Sequence, residues 1–95
     1  MTALDDGNAR ALNKIDAMIS RLRGGEIRRP FVERRSGKVV AFHWLDCFQP
    51  ARLEVANPEQ LTLHLMDWTI GPLTTELQRK LLELKRVLEA PLGSA

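Results

Sequence analysis

Glu26-Ile27-Arg28-Arg29-Pro30-Phe31-Val32-Glu33-Arg34-Arg35-Ser36-Gly37-Lys38-Val39-Val40-Ala41-Phe42-His43-Trp44-Leu45 reads as a basic β-hairpin. β-Branched and aromatic residues recur in both arms, and Ser36-Gly37 offers a two-residue turn in which glycine takes positive φ. In the first arm, alternation sets Ile27, Arg29, Phe31 and Glu33 on one face and Arg28, Val32 and Arg34 on the other. Pro30 lacks a backbone donor, which marks this arm as an edge strand. The second arm sets Val40, Phe42 and Trp44 against Val39, Ala41, His43 and Leu45. It is apolar on both faces, the pattern of an interior strand covered by a helix.

Toward the C-terminus, Asp46–Pro50 reads as a connection and Arg52-Leu53-Glu54-Val55 as a third strand with Leu53 and Val55 inward. Asn57-Pro58-Glu59-Gln60 fits a type I turn, and it also fits a capped helix start with proline in the first position. Leu61, Leu63 and Leu65 then alternate with Thr62, His64 and Met66, which favours a strand. A helix over 58–68 would leave only three strands. Gly71-Pro72 breaks the chain before a last helix beginning near Thr74 or Thr75. In that helix Leu77, Leu81, Leu84 and Leu88 repeat at 4-3-4 spacing, with Leu73 ahead of them and Leu82 and Val87 widening the stripe. Glu76–Lys80, Arg79–Glu83 and Lys85–Glu89 are opposite charges four apart. Pro91 ends the helix, and residues 92–95 are expected to be loose.

Toward the N-terminus, a helix is expected over Ala9–Arg23, capped by Asp5, Asp6 or Asn8. Its stripe is Leu12, Ile15, Met18, Ile19 and Leu22, with Arg10, Lys14 and Arg21 off it. Gly24-Gly25 supplies the stop. Arg21-Leu22-Arg23-Gly24-Gly25 also spells the tail of ubiquitin, but there it is a free C-terminus, whereas here it is internal and follows an amphipathic helix. The expected fold is therefore α+β: a small antiparallel β-meander of three to four strands, flanked by an N-terminal and a C-terminal amphipathic helix.

Ninety-five residues suit a single domain, 1–95, with one core. The net charge of +2 is small, but its distribution is uneven. Seven of the fourteen basic residues (Arg21, Arg23, Arg28, Arg29, Arg34, Arg35, Lys38) fall between positions 21 and 38 against two acidic ones, a local +5 that leaves −3 elsewhere. Cys47 is the only cysteine, so no intramolecular disulfide forms and a reducing cytoplasm is the expected location. The N-terminus has no signal-peptide pattern, and no apolar run is long enough to span a bilayer.

Two binding readings follow. In the first, the protein is a small non-enzymatic regulatory module that contacts DNA or RNA through Arg21, Arg23, Arg28, Arg29, Phe31, Arg34, Arg35 and Lys38, the arginines pairing with phosphate and Phe31 or Trp44 stacking a base. In the second, it is an adaptor or inhibitor that offers the same arginines to an acidic protein surface. The plain structural alternative is an edge strand kept unpaired by charge. Leu77, Leu81, Leu84 and Leu88 fit a core stripe, or the seam of a homodimer. Catalytic residues, cofactors and metal are not expected. His43 and Cys47 stand four apart without the further ligands a structural zinc needs, and Cys47 beside Phe48 reads as a small buried hydrophobe.

Overall fold

The computed structural model describes residues 3–27 and 29–90, with side chains from residue 7 onward. The expectations placed on Arg28, Pro91 and residues 92–95 fall outside them. Helix α1 spans Ala3–Arg23, and strands β1 (Phe31–Arg35), β2 (Lys38–Asp46), β3 (Gln49–Glu54), β4 (Thr62–His64) and β5 (Thr69–Ile70) follow, then helix α2 (Thr75–Glu89). All neighbouring strands are antiparallel, in the order β1-β2-β3-β4-β5. This is the expected α+β meander with one strand more. The extra strand, β5, is two residues long, too short to leave a periodic signal.

Helix α1 starts six residues earlier than its sequence suggests, so Asp5 and Asp6 lie inside its first turns rather than capping it. Gly7 is carried within the helix, at a cost of about 1 kcal/mol relative to alanine. The two glycines close α1 as expected. Gly25 takes φ 75°, the Glu26 N–H donates to the Arg21 carbonyl (3.1 Å) and the Gly25 N–H to the Leu22 carbonyl (3.2 Å), a Schellman closure. At the hairpin turn, Ser36 (φ 51°) and Gly37 (φ 81°) both take positive φ, which matches the twist of the flanking strands.

The register between β1 and β2 slips at Glu33/Arg34, where Val40 is the extra residue. The bulge breaks the alternation of β2, and Val39 packs against the core together with Phe42 and Trp44. The first arm becomes a strand only from Phe31, and Ile27 packs against the core from the preceding loop. Asp46–Pro50, expected as a connection, is instead the closed end of a β2–β3 hairpin with Cys47-Phe48 at its tip. Asn57–Gln60 is a turn, with the Gln60 N–H donating to the Asn57 carbonyl (3.0 Å) and the Glu59 N–H to Asn57 Oδ1 (3.0 Å).

One face of the sheet, with Val32, Phe42, Leu53, Leu63 and Ile70 in a row across it, packs with both helices in one hydrophobic cluster. From α1 come Ala11, Ile15, Met18, Ile19 and Leu22, and from α2 Leu77, Leu81, Leu84, Val87 and Leu88, all buried. Thr74 caps α2 through its hydroxyl, which accepts from the Leu77 N–H at 3.1 Å. Leu73 stays exposed, outside the stripe it was expected to join.

Of the three ion pairs expected along α2, only Lys85–Glu89 (3.0 Å) forms among the described residues. Lys80 reaches Asp16 on α1 (2.7 Å) and Glu83 (3.5 Å), and Glu83 also meets Arg23 of α1 (3.4 Å). Tertiary partners take the place of the local ones. Among the described residues, no helix is long and apolar enough to cross a membrane.

Candidate functional site

With both helices on one face, the other face of the sheet is open, and its side chains stand in rows set by the strand register. Phe31, His43, Arg52, His64 and Thr69 form one row across all five strands. Glu33, Ala41, Glu54 and Thr62 form the next, and Leu45 and Pro50 close the end of the sheet. Charges on this face are interleaved. His43 Nε2 donates to Glu33 Oε1 (2.8 Å), His64 Nε2 to Glu54 Oε1 (2.6 Å), and Arg52 Nη1 lies 3.6 Å from Glu54. The His43 hydrogen bond holds the Glu33 carboxyl below the usual carboxylate range. Phe31 meets the His43 ring edge-on, 5.8 Å between centroids.

Beside these rows lies a groove of about 860 Å³, and its walls include Ile27, Arg29, Phe31, His43, Leu45, Cys47, Phe48, Pro50, Arg52, His64 and Met66. Four large apolar side chains stand out from it into solvent: Phe31 (68% exposed), Leu45 (59%), Phe48 (94%) and Met66 (70%). Several such side chains stand together on one concave surface, with arginine and histidine among them, a grouping larger than the single exposed apolar residues of an ordinary solvent-facing sheet.

The tip of the groove is strained. Cys47 (φ 51°) and Phe48 (φ 66°) occupy the left-handed region without being glycine or asparagine. That conformation costs an L-residue roughly 1–2 kcal/mol, and for a bulky residue it is uncommon. The strain fixes Phe48 outward at the apex of the β2–β3 hairpin. Replacing Phe48 with glycine is therefore expected to raise stability by about 0.5–1 kcal/mol, the relieved strain less the greater unfolded-state freedom of glycine. A urea titration in which Phe48→Gly lowers the midpoint would refute the strained-turn account.

The basic residues singled out in the sequence do not become one patch. Arg21 is spent on Asp46: its Nε donates to Oδ1 at 2.7 Å and its Nη2 to Oδ2 at 2.8 Å. Asp46 is buried at the end of β2, and Lys14 approaches its Oδ2 at 3.7 Å. Arg23 faces Glu83. Arg29 lines the groove, near the β2–β3 tip. Arg34, Arg35 and Lys38 sit at the opposite hairpin tip, roughly 25 Å away along β2 at about 3.3 Å per residue. There Arg35 lies 3.8 Å from Glu33, while Arg34 and Lys38 have no ion-pair partner among the described residues. Phe31 and Trp44 lie on opposite faces of the sheet, and Trp44 is buried. They cannot stack on one nucleobase run.

Leu77, Leu81, Leu84 and Leu88 are at most 4% exposed within one copy of the chain. A homodimer seam would need surface that they do not present, and Val87 is likewise buried. Cys47, expected inside, is exposed, because the tight turn points it away from the sheet. Leu45, Phe48 and Met66 were not singled out by sequence reasoning. Their only signal was large apolar residues at or just past the ends of apolar runs, which reads equally as core. Among the described residues, no group of three or more histidine, cysteine, aspartate or glutamate side chains could hold a metal ion. Comparison of the chain with protein-family models, curated proteins and solved structures finds no match in any of the three.

Proposed function

We propose that the protein is a small non-catalytic binding module that docks a partner protein in the groove at the β2–β3 end of its open sheet face. The observation that carries this reading is the convergence of Phe31, Leu45, Phe48 and Met66, all more than half exposed, on one groove whose walls also hold Arg29 and Arg52. Aromatic residues, methionine and arginine are the types enriched where protein partners bury surface. The basic side chains make an acidic partner the complementary one. An exposed thiol at Cys47 suits a reducing compartment, so a cytoplasmic location belongs to the same proposal.

Affinity capture from the native host with the full chain tests it. The captured acidic protein is expected to be lost when Phe48 and Met66 both become serine. It should be indifferent to nuclease and to Arg34→Ala/Arg35→Ala/Lys38→Ala. Capture that needs nucleic acid and the arginine tip would overturn the reading.

A second reading rests on that tip. Arg34 and Lys38 are exposed and lack carboxylate partners among the described residues, which leaves them for phosphate. With so few cations the expected counterion release is small, about two to three per bound protein. A steeper salt dependence on generic DNA or RNA would restore nucleic acid as the main ligand.

A further inference from the structure

β1 is paired on one side only. It stands at the end of the β1-β2-β3-β4-β5 order, and no backbone hydrogen bond from outside the sheet reaches it among the described residues. Which of its backbone groups face outward follows from the ladder. The Val55 N–H donates to the Val40 carbonyl at 2.9 Å, so Val40 bonds toward β3. Antiparallel pairing alternates, so Phe42 and Trp44 bond toward β3 as well, and Ala41 and His43 toward β1. Pro50 agrees with this phase, because it stands opposite Leu45 and has no N–H to give it. Phe31 and Glu33, opposite His43 and Ala41, therefore spend their N–H and C=O on β2. Val32 and Arg34 turn theirs to the outer edge.

Phe31-Val32-Glu33-Arg34-Arg35 is apolar at its start and basic at its end. Laid antiparallel against itself with Glu33 facing Glu33, it sets the start of each copy against the end of the other. Val32 then stands opposite Arg34, the two residues whose groups face outward, and each such pair exchanges both N–H···O=C bonds. On the open face Phe31 meets Arg35 of the other copy, a guanidinium beside a ring. On the opposite face the aliphatic stem of Arg34 lies over the half-buried Val32. The central carboxylates are tolerable because each is already held within its own copy, by His43 (2.8 Å) and Arg35 (3.8 Å). The neighbouring registers fail. Centring on Arg34 opposes two arginines that have no carboxylate partner among the described residues, and centring on Val32 sets Arg34 against Pro30, which has no N–H.

We infer that the protein self-associates as a two-fold homodimer through β1, antiparallel and centred on Glu33. The axis stands perpendicular to the sheet, so the two sheets become one, with both open faces on the same side and both β2–β3 tips clear of the contact. The inference goes beyond the docking reading and does not depend on it. The charges of β1 then select one register, where a strand of uniform charge would forbid pairing altogether. An edge this short buries less than the roughly 1,600 Å² of a standard interface, so association is weak and belongs to high protein concentration.

Sedimentation velocity of the full chain over a concentration series tests it, together with a ¹³C-filtered NOE spectrum of mixed labelled and unlabelled copies. A dimer is expected at the high end of the series. An intermolecular NOE should link the Glu33 Hα protons, because a non-hydrogen-bonded antiparallel pair brings its Cα atoms closest. Arg35→Glu, which sets a new carboxylate diagonal to Glu33 of the other copy, should weaken association at least tenfold. Lys38→Glu makes the same charge change one strand further from the contact and should leave association nearly unchanged. Arg34→Pro removes an outward N–H without taking a bond from the β1–β2 ladder, and should abolish the dimer while the chain stays folded. A monomer throughout the series overturns the inference, as does a loss with Lys38→Glu equal to that with Arg35→Glu. A dimer that survives both β1 variants and is lost on Phe48→Ser lies at the groove, and overturns it too. Docking of an acidic partner is read separately, by capture, so either reading can fail while the other stands.

Discussion

Leu81→Ala is expected to destabilise the protein by about 3–4 kcal/mol, within the range for a leucine truncated in a rigid core. Leu81 is wholly buried, as is Leu84 one turn further along α2, and both sit in the cluster that joins the two helices to the sheet. Truncation removes buried methyl groups and leaves a cavity that α1 and the sheet can only partly fill. Against a typical stability of about 5–15 kcal/mol for a small domain, this is a large fraction. Chemical denaturation measures it directly. The midpoint should fall by the same amount at low and high protein concentration, because the contacts lie within one chain. A loss below about 1 kcal/mol, or one that grows on dilution, would mean that the leucine stripe does not hold the monomer together.

Arg21→Ala should cost about 3 kcal/mol, through a different mechanism. Asp46 is 4% exposed and accepts two short hydrogen bonds from one guanidinium, an arrangement that ties the last turn of α1 to the end of β2. Removing Arg21 leaves a buried carboxylate with Lys14 at 3.7 Å as its remaining ion-pair partner. Breaking a buried pair from one side costs about 3–5 kcal/mol, and the partial exposure of Arg21 places this pair at the lower end. Asp46→Asn should cost less, because a guanidinium left without its partner can turn toward solvent.

The hydrogen bond to Asp46 raises the Arg21 pKa further above its ordinary value. A group with a raised folded pKa contributes fully below its unfolded value, so this stabilisation should not vary with pH through neutral and moderately alkaline conditions. In a melt, the Arg21→Ala loss corresponds to a fall of about 12–24 °C at 4–8 °C per kcal/mol. The double variant Arg21→Met/Asp46→Leu should recover most of it, since well-packed apolar replacements escape the desolvation cost that a lone charge keeps. An Arg21→Ala protein within 1 kcal/mol of wild type would sink this account.

Much of the fold was legible because its signals are local. Ser36-Gly37 announces a two-residue turn, Gly24-Gly25 a helix stop, and the leucine repeat a last helix beginning near Thr74 or Thr75. The alternation of Leu61 and Leu63 pointed to a strand over the ambiguous segment, and Thr62–His64 is one. The misses were where residues depart from their usual habits. Cys47-Phe48 makes a tight turn without a turn residue, and Gly7 sits inside a helix. Val40 inserts a bulge that shifts the face of Val39.

The candidate site was much less legible, for a physical reason. Charge is additive along a sequence but not across a fold, where each cation finds its own nearest carboxylate. Seven basic residues within eighteen positions looked like one patch. Arg21 went to Asp46, twenty-five residues away, and Arg23 went to Glu83 on the other helix. Arg34, Arg35 and Lys38 were carried to the far end of a nine-residue strand from Arg29. Exposure of an apolar side chain is likewise invisible locally. Leu45 and Phe42 belong to the same strand, and only the placement of both helices on one face makes Phe42 core and Leu45 surface. By itself the sequence determined the two amphipathic helices, the antiparallel meander and the Ser36-Gly37 turn that joins β1 to β2, because hydrophobic period and turn chemistry act over a few residues. Tertiary structure alone decided which charges were neutralised and which apolar side chains were left exposed, because both depend on what packs against them from distant parts of the chain.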